Sequence, residues 1–173
     1  MTHEPDPRFA QILDRSITPE LYREILQLWL RHVTNEEKLF VPHTEEEGRA
    51  AMAEMLAAFV EDCVVEVVFT GDRWTGHDGA QRFYDVFLSS IDDMRWVPQA
   101  LVIGPQGVLD VVNMTGTLRQ PFAGLTGIGG KLALQWVIQF PWVSDARRFR
   151  GETIHTIRPL TAVESVSIPF PHG

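Results

Sequence analysis

The sequence predicts an α+β fold: a curved antiparallel β-sheet packed against three α-helices that all lie in the N-terminal half. Three observations predict it. Helical caps and 3.6-residue apolar periodicity occur only before about residue 91. Beyond that point the chain reads as long alternating strands separated by short turns. Helices and strands are thus segregated along the chain, which is the α+β pattern. A length of 173 residues, 45% of them apolar, supplies one proper core. Five Trp, ten Phe and two Tyr are a heavy aromatic load, more than one small core needs if the sheet is half open, so some should line a cavity.

Residues 1–17 read as a loose leader, 18–158 as a single domain and 159–173 as a proline-containing tail. Thr18-Pro19-Glu20 opens the first helix, with Thr as N-cap, Pro at the first helical position and Glu near the positive end. Leu21, Ile25, Leu28, Trp29 and Val33 form its apolar stripe, widened by Tyr22, Leu26 and Leu30. Thr44-Glu45-Glu46-Glu47 is a capping box for a second helix with Met52, Met55, Leu56 and Phe59 on its core face. Cys63–Phe69 is Val-rich and reads as a strand; Gly71-Asp72 turns the chain and Arg73-Trp74-Thr75 pairs back. Asp78 is placed to cap a third helix carrying Phe83, Tyr84, Phe87, Leu88 and Ile91. Four strands follow: Met94–Ile103, broken by Pro98; Val108–Leu118 after the turn Gly104-Pro105-Gln106-Gly107; then, past the glycine-rich loop 120–130, Lys131–Trp142 and Arg147–Arg158 around Ser144-Asp145.

Several function classes are disfavoured. Fifteen basic against 23 acidic residues leave a net charge of −8, and the one dense basic cluster is Arg147, Arg148 and Arg150, so nucleic acid is not an expected partner. Cys63 is the only cysteine, which excludes a disulfide framework and a cysteine zinc site. No His/Asp/Glu spacing suits a metal, and Gly127-Ile128-Gly129-Gly130 precedes a strand, not a helix, so neither metal nor other cofactor is expected. Met1–Arg8 has no signal-peptide features, and no window approaches the ~18 continuous apolar residues of a membrane span, giving a cytoplasmic expectation.

Trp74-x-Gly76-x-x-Gly79 followed by Phe83-Tyr84, then Thr115-Gly116-Thr117, Pro121-Phe122-Ala123-Gly124-Leu125, Gly130-Lys131 and Gly151-Glu152-Thr153-Ile154-His155, resembles the motif order of SnoaL-like proteins of the NTF2-like superfamily. The resemblance runs from about residue 18 to residue 158 and implies the NTF2-like cone. It also implies a small hydrophobic molecule as ligand and a homodimer through the outer face of the sheet. Its relatives include cofactor-free polyketide cyclases, ketosteroid isomerases, dehydratases, epoxide hydrolases and plain binding modules. Where many relatives carry a Tyr and then an Asp after the Gly-Glu pair, this chain has His155 and Ile157, so any mechanism needing that Asp does not transfer.

Asp110 is the first catalytic candidate. It alternates with Val108, Val112 and Met114, and a carboxylate on an apolar face is costly unless paired, protonated or in use. Its alternatives are an outward-facing strand side or an Arg partner. Glu152, prominent in the resemblance, shares its face with Arg148, Arg150 and Ile154, whereas Phe149, Thr153, His155 and Ile157 share the other. Strict alternation lets only one of these faces point inward, so Glu152 and His155 compete. His77, at the start of the third helix, is a candidate proton shuttle or a turn residue. His32, near the stripe of the first helix, reads as a core-edge residue bonded to backbone. Trp29, Glu66, Trp74, Tyr84, Met114 and Trp136 are candidate ligand-binding residues, with Trp96 a further candidate wall; each aromatic could equally be plain core.

The function expected from these residues is cofactor-free acid–base chemistry on a ring-bearing or polyketide-like molecule held in an apolar cone: cyclisation, isomerisation or dehydration. Two rivals are a non-catalytic binding module and an epoxide-hydrolase-like carboxylate–Arg–carboxylate set using Arg150 and Glu152.

Overall fold

The computed structural model describes residues 17–160; the expected leader and tail fall almost wholly outside this range. The element order is α1 (Pro19–Leu39), α2 (Glu45–Leu56), β1 (Phe59–Val67), β2 (Asp72–Thr75), α3 (Gly76–Ser90), β3 (Ile91–Gly104), β4 (Gly107–Leu118), β5 (Lys131–Val143) and β6 (Arg148–Pro159). Among the described residues these make three helices and a six-stranded sheet, the α+β cone expected, with sheet order β2-β1-β6-β5-β4-β3. No helix among the described residues is long and apolar enough to cross a membrane.

The caps work as read. Thr18 Oγ1 accepts from the Leu21 N–H at 3.2 Å, and the capping box is closed by Glu47 N–H to Thr44 Oγ1 at 3.2 Å and Thr44 N–H to Glu47 Oε2 at 2.8 Å. These bonds fix where α1 and α2 begin. The third helix differs: it starts at Gly76 after Thr75, and Asp78 sits inside its first turn instead of capping it. On α1 the buried line is Ile25, Trp29, His32 and Asn35, whereas Tyr22 and Leu30 are exposed, so the stripe is narrower than the apolar count suggests.

Every neighbouring pair in the sheet is antiparallel except β1 and β6, which run parallel. Hairpin connections force antiparallel pairing on chain neighbours. β1 and β6 share no hairpin, so their relative direction is free of that constraint. Pro98 does not end β3. It lies on an edge strand with a register shift beside it, the two settings in which a sheet tolerates a missing N–H.

The inner face of β4 carries Val108, Asp110, Val112, Met114 and Leu118, and that of β5 carries Leu134, Trp136, Ile138 and Phe140, all buried. Simple alternation holds on these two strands and fails on β6. Between the Trp142–Phe149 and Gln139–Thr153 pairs, β6 advances one residue more than β5, and it gains another between Ile154 and Thr156. Such bulges flip the alternation. Phe149 and Glu152 are both buried although three apart, Ile154 is buried too, and His155 is turned out. Gly151 makes the first bulge possible. Its φ is +125°, and a Cβ there would lie 2.1 Å from the Val64 carbonyl oxygen on β1.

Gly151→Ala should therefore cost ~3 kcal/mol or more in chemical denaturation, through strain plus a backbone clash. Gly124→Ala is the control: φ is +80° but nothing lies within 4 Å of the added Cβ. It should cost about 1–2 kcal/mol.

Candidate functional site

The bulge at Gly151 delivers the Glu152 carboxylate to the interior, where its Oε1 accepts from the Tyr84 hydroxyl at 2.5 Å and lies 2.9 Å from His32 Nε2. His32 Nδ1 is 3.1 Å from the Met55 carbonyl oxygen. A carbonyl only accepts, so Nδ1 carries hydrogen and donates. The other ring nitrogen faces a carboxylate oxygen, so one proton is held between His32 and Glu152 whichever of the two owns it. His32 is fully buried and Glu152 is 4% exposed. Burial, and next the Glu152 carboxylate, hold the Tyr84 phenol well above its ordinary range, so it stays a donor.

Beside this group opens a cavity with apolar walls. Trp29, Val33 and Phe40 come from α1 and its C-cap, Phe83 and Phe87 from α3, and the rest from the inner faces of β3 to β6. Its volume is only about 50 Å³, so the slot is thin. Four carboxyl groups reach it: Glu36, Glu37, Asp110 and Glu152. Asp110 is 5% exposed, and its Oδ1 has no hydrogen-bond partner. Burial, reinforced by the Glu152 carboxylate, pushes Asp110 up to about 7. Glu36 is pushed well above the usual carboxylate range, first by burial and then by Glu152, Asp110 and Glu37. The indole N–H groups of Trp29, Trp96 and Trp136, all wall residues, are likewise buried without an acceptor. The site thus combines one carboxyl that titrates near neutrality, a proton shared between His32 and Glu152, and unpaired donors in one apolar slot, the parts that acid–base chemistry on a carbonyl compound requires.

Of the sequence candidates, Asp110, Glu152, Trp29, Trp96 and Trp136 line this cavity, and Tyr84 stands directly behind Glu152. The others lie elsewhere. His77 bonds the Phe59 carbonyl at 3.3 Å and borders an open groove between α2 and α3. His155 is exposed and donates to Gln139 Oε1 at 3.0 Å, because it follows the inward Ile154 in the alternation that the first bulge resets. Glu66 lies on the outer side of β1, 4.0 Å from Arg73, since Cys63, Val65 and Val67 take the inner side. Trp74 packs on Phe83 with ring centroids 5.1 Å apart, and Met114 is fully buried below the cavity walls. Arg150 points away and meets Asp62 at 3.6 Å, so no carboxylate–Arg–carboxylate set forms with Glu152. Cys63 is buried, and burial raises its thiol to about 11, which leaves it unreactive.

Two residues escaped the sequence reading. His32 bonds backbone as expected but also holds Glu152. Glu36 was not singled out, although Trp29, His32 and Glu36 follow at helical spacing, two polar residues continuing an apolar line. Among the described residues no group of three or more His, Cys, Asp or Glu is arranged to hold a metal ion.

A family model described as the SnoaL-like domain matches residues 27–158. No curated protein matches the chain. Among solved structures, a protein provisionally described as a SnoaL-like polyketide cyclase from Jannaschia sp. CCS1 is similar at 14% identity and TM-score 0.65, with 90% of this chain and 99% of that one covered. BvnE pinacolase from Penicillium brevicompactum is similar at 8% identity and TM-score 0.56, covering 81% and 87%. TerC, co-crystallised with polyporic acid, is similar at 12% identity and TM-score 0.55, covering 76% and 89%.

The raised Asp110 titration has a signed consequence. The folded state keeps a proton that the unfolded chain releases near 3.8, so stability falls as pH rises from about 4 to about 7, then levels off. The slope contributed is at most about 1.4 kcal/mol per pH unit. Urea denaturation across that range should show Asp110→Asn flattening the decline and exceeding the unsubstituted protein in stability above neutrality. An unchanged slope would mean that Asp110 titrates normally.

Proposed function

The chain belongs to the SnoaL-like family, and we propose that it is a cofactor-free enzyme that moves a proton on a hydrophobic, ring-bearing carbonyl compound. One observation carries this reading: Asp110 and the proton-sharing His32–Glu152 pair converge on one apolar slot. In the proposed step, ionised Asp110 takes a proton from the carbon next to a carbonyl. The bonding pair shifts into the carbonyl, and the growing charge on oxygen is met by an indole N–H of the cavity wall. Returning the proton to another carbon isomerises the substrate. Attack of the new carbon nucleophile on a second carbonyl closes a ring. Loss of a hydroxyl, protonated from the His32–Glu152 pair, gives dehydration. Burial suits Asp110 to both halves of the exchange, since its titration lies near neutral pH. The fold's use by a pinacolase and by a protein crystallised with polyporic acid supports a small-molecule reading.

A non-catalytic binding module is the alternative, and one feature favours it. Glu152 Oε1 is already engaged by both His32 and Tyr84, as a purely structural carboxylate would be.

Hydrogen–deuterium exchange at the carbon beside the carbonyl, followed by NMR over a panel of cyclic ketones, separates the two. An enzyme should accelerate exchange on at least one ring-bearing ketone, and Asp110→Asn should reduce that rate about 100-fold or more while circular dichroism stays unchanged. Glu152→Gln should also lower it. Full activity in both variants would overturn the assignment.

A further inference from the structure

We propose that the cavity selects an organic cation, an apolar molecule carrying an ammonium group; this rests on the cavity being the ligand site. Four carboxyl groups reach the slot, and no Lys or Arg lines it. The nearby His32 cannot serve as counter-charge for all of them, because its two ring nitrogens are committed to Glu152 and the Met55 carbonyl. Glu36 and Asp110 are therefore left without a compensating cation or a hydrogen bond among the described residues. Asp110 is the telling one: it is 5% exposed, lines the slot and has Oδ1 unpaired. Buried carboxylates are normally paired with a cation or bonded by donors. Here the missing partner would come from the ligand.

The walls point the same way. Phe40 stacks on Trp96 with centroids 5.9 Å apart, Trp96 meets Phe87 at 6.0 Å and Trp136 at 5.5 Å, and Phe87 meets Trp136 at 5.5 Å. These four rings in mutual contact all line the slot, and an aromatic face attracts an ammonium, more strongly where water is excluded. The same field repels carboxylates and phosphates. A slender cation also suits a thin slot. Binding it would favour the ionised forms of Asp110 and Glu36, both of which burial and mutual repulsion now hold protonated more readily than usual.

The test uses three molecules of one skeleton: phenylpropylamine as the cation, phenylpropanol as the neutral form and phenylpropanoate as the anion. Titration calorimetry at about pH 8 keeps the amine charged. The amine should bind about tenfold or more tightly than the alcohol, with the anion weakest. Glu36→Gln and Asp110→Asn should each reduce that preference, and together bring the two affinities level. An alcohol that binds as tightly as the amine overturns the cation selectivity and leaves the cavity as a ligand site. A preference that survives in the double variant also overturns it. Binding of none of the three overturns both this proposal and the reading of the cavity on which it rests.

Discussion

The Glu152 carboxylate is the knot of this molecule. It comes from β6 and is gripped by His32 of α1 and Tyr84 of α3, and His32 in turn bonds the Met55 carbonyl of α2. All three helices are thereby fastened to one oxygen of the sheet's interior. A buried carboxylate tolerates such a position only because donors surround it, and removing one partner of a buried ionic pair typically costs about 3–5 kcal/mol. The cavity exists beside this knot because the helices are held to the sheet there, while aromatic rings of α1, α3 and β3 to β5 pack around the remaining space.

The same knot adds to the electrostatics. Burial first, and the like charge of Glu152 second, make both Asp110 and Glu36 hold protons more readily than an exposed carboxyl does. Three carboxyls thus take three roles by surroundings alone: one bonded twice over, one buried and unbonded, one at the slot's rim beside Glu37. Environment, not residue type, separates them.

Much of the fold could be read from the sequence, because its signals are local. Thr18-Pro19 and Thr44–Glu47 mark helix starts through bonds made within one turn, and alternation on β4 and β5 places Asp110 and Trp136 on one side of the sheet. What was not legible depends on contacts between distant segments. The parallel β1–β6 pair has no connecting turn to announce it. The choice between Glu152 and His155 turned on the first bulge in β6, and period-two reasoning cannot see a bulge before the strand's partners are known. Gly151 was the one visible hint, a residue free to adopt the φ that β1 demands by its close approach. His32 read as an ordinary core histidine since its carboxylate partner is 120 residues away in the chain.

That separation also orders events in time. β6, the last strand, inserts between β1 and β5 instead of adding to an edge. Until it arrives, β1 and β2 have no bridge to the β3–β5 hairpins, and His32 and Tyr84 lack the acceptor that unites them. On a chain made from its N-terminus, the helices and first hairpins can emerge and collapse locally while the two halves of the sheet remain unjoined. The proton-sharing pair is then the last part of the site assembled, and a chain truncated before β6 would have neither a joined sheet nor the carboxylate that ties His32 to Tyr84.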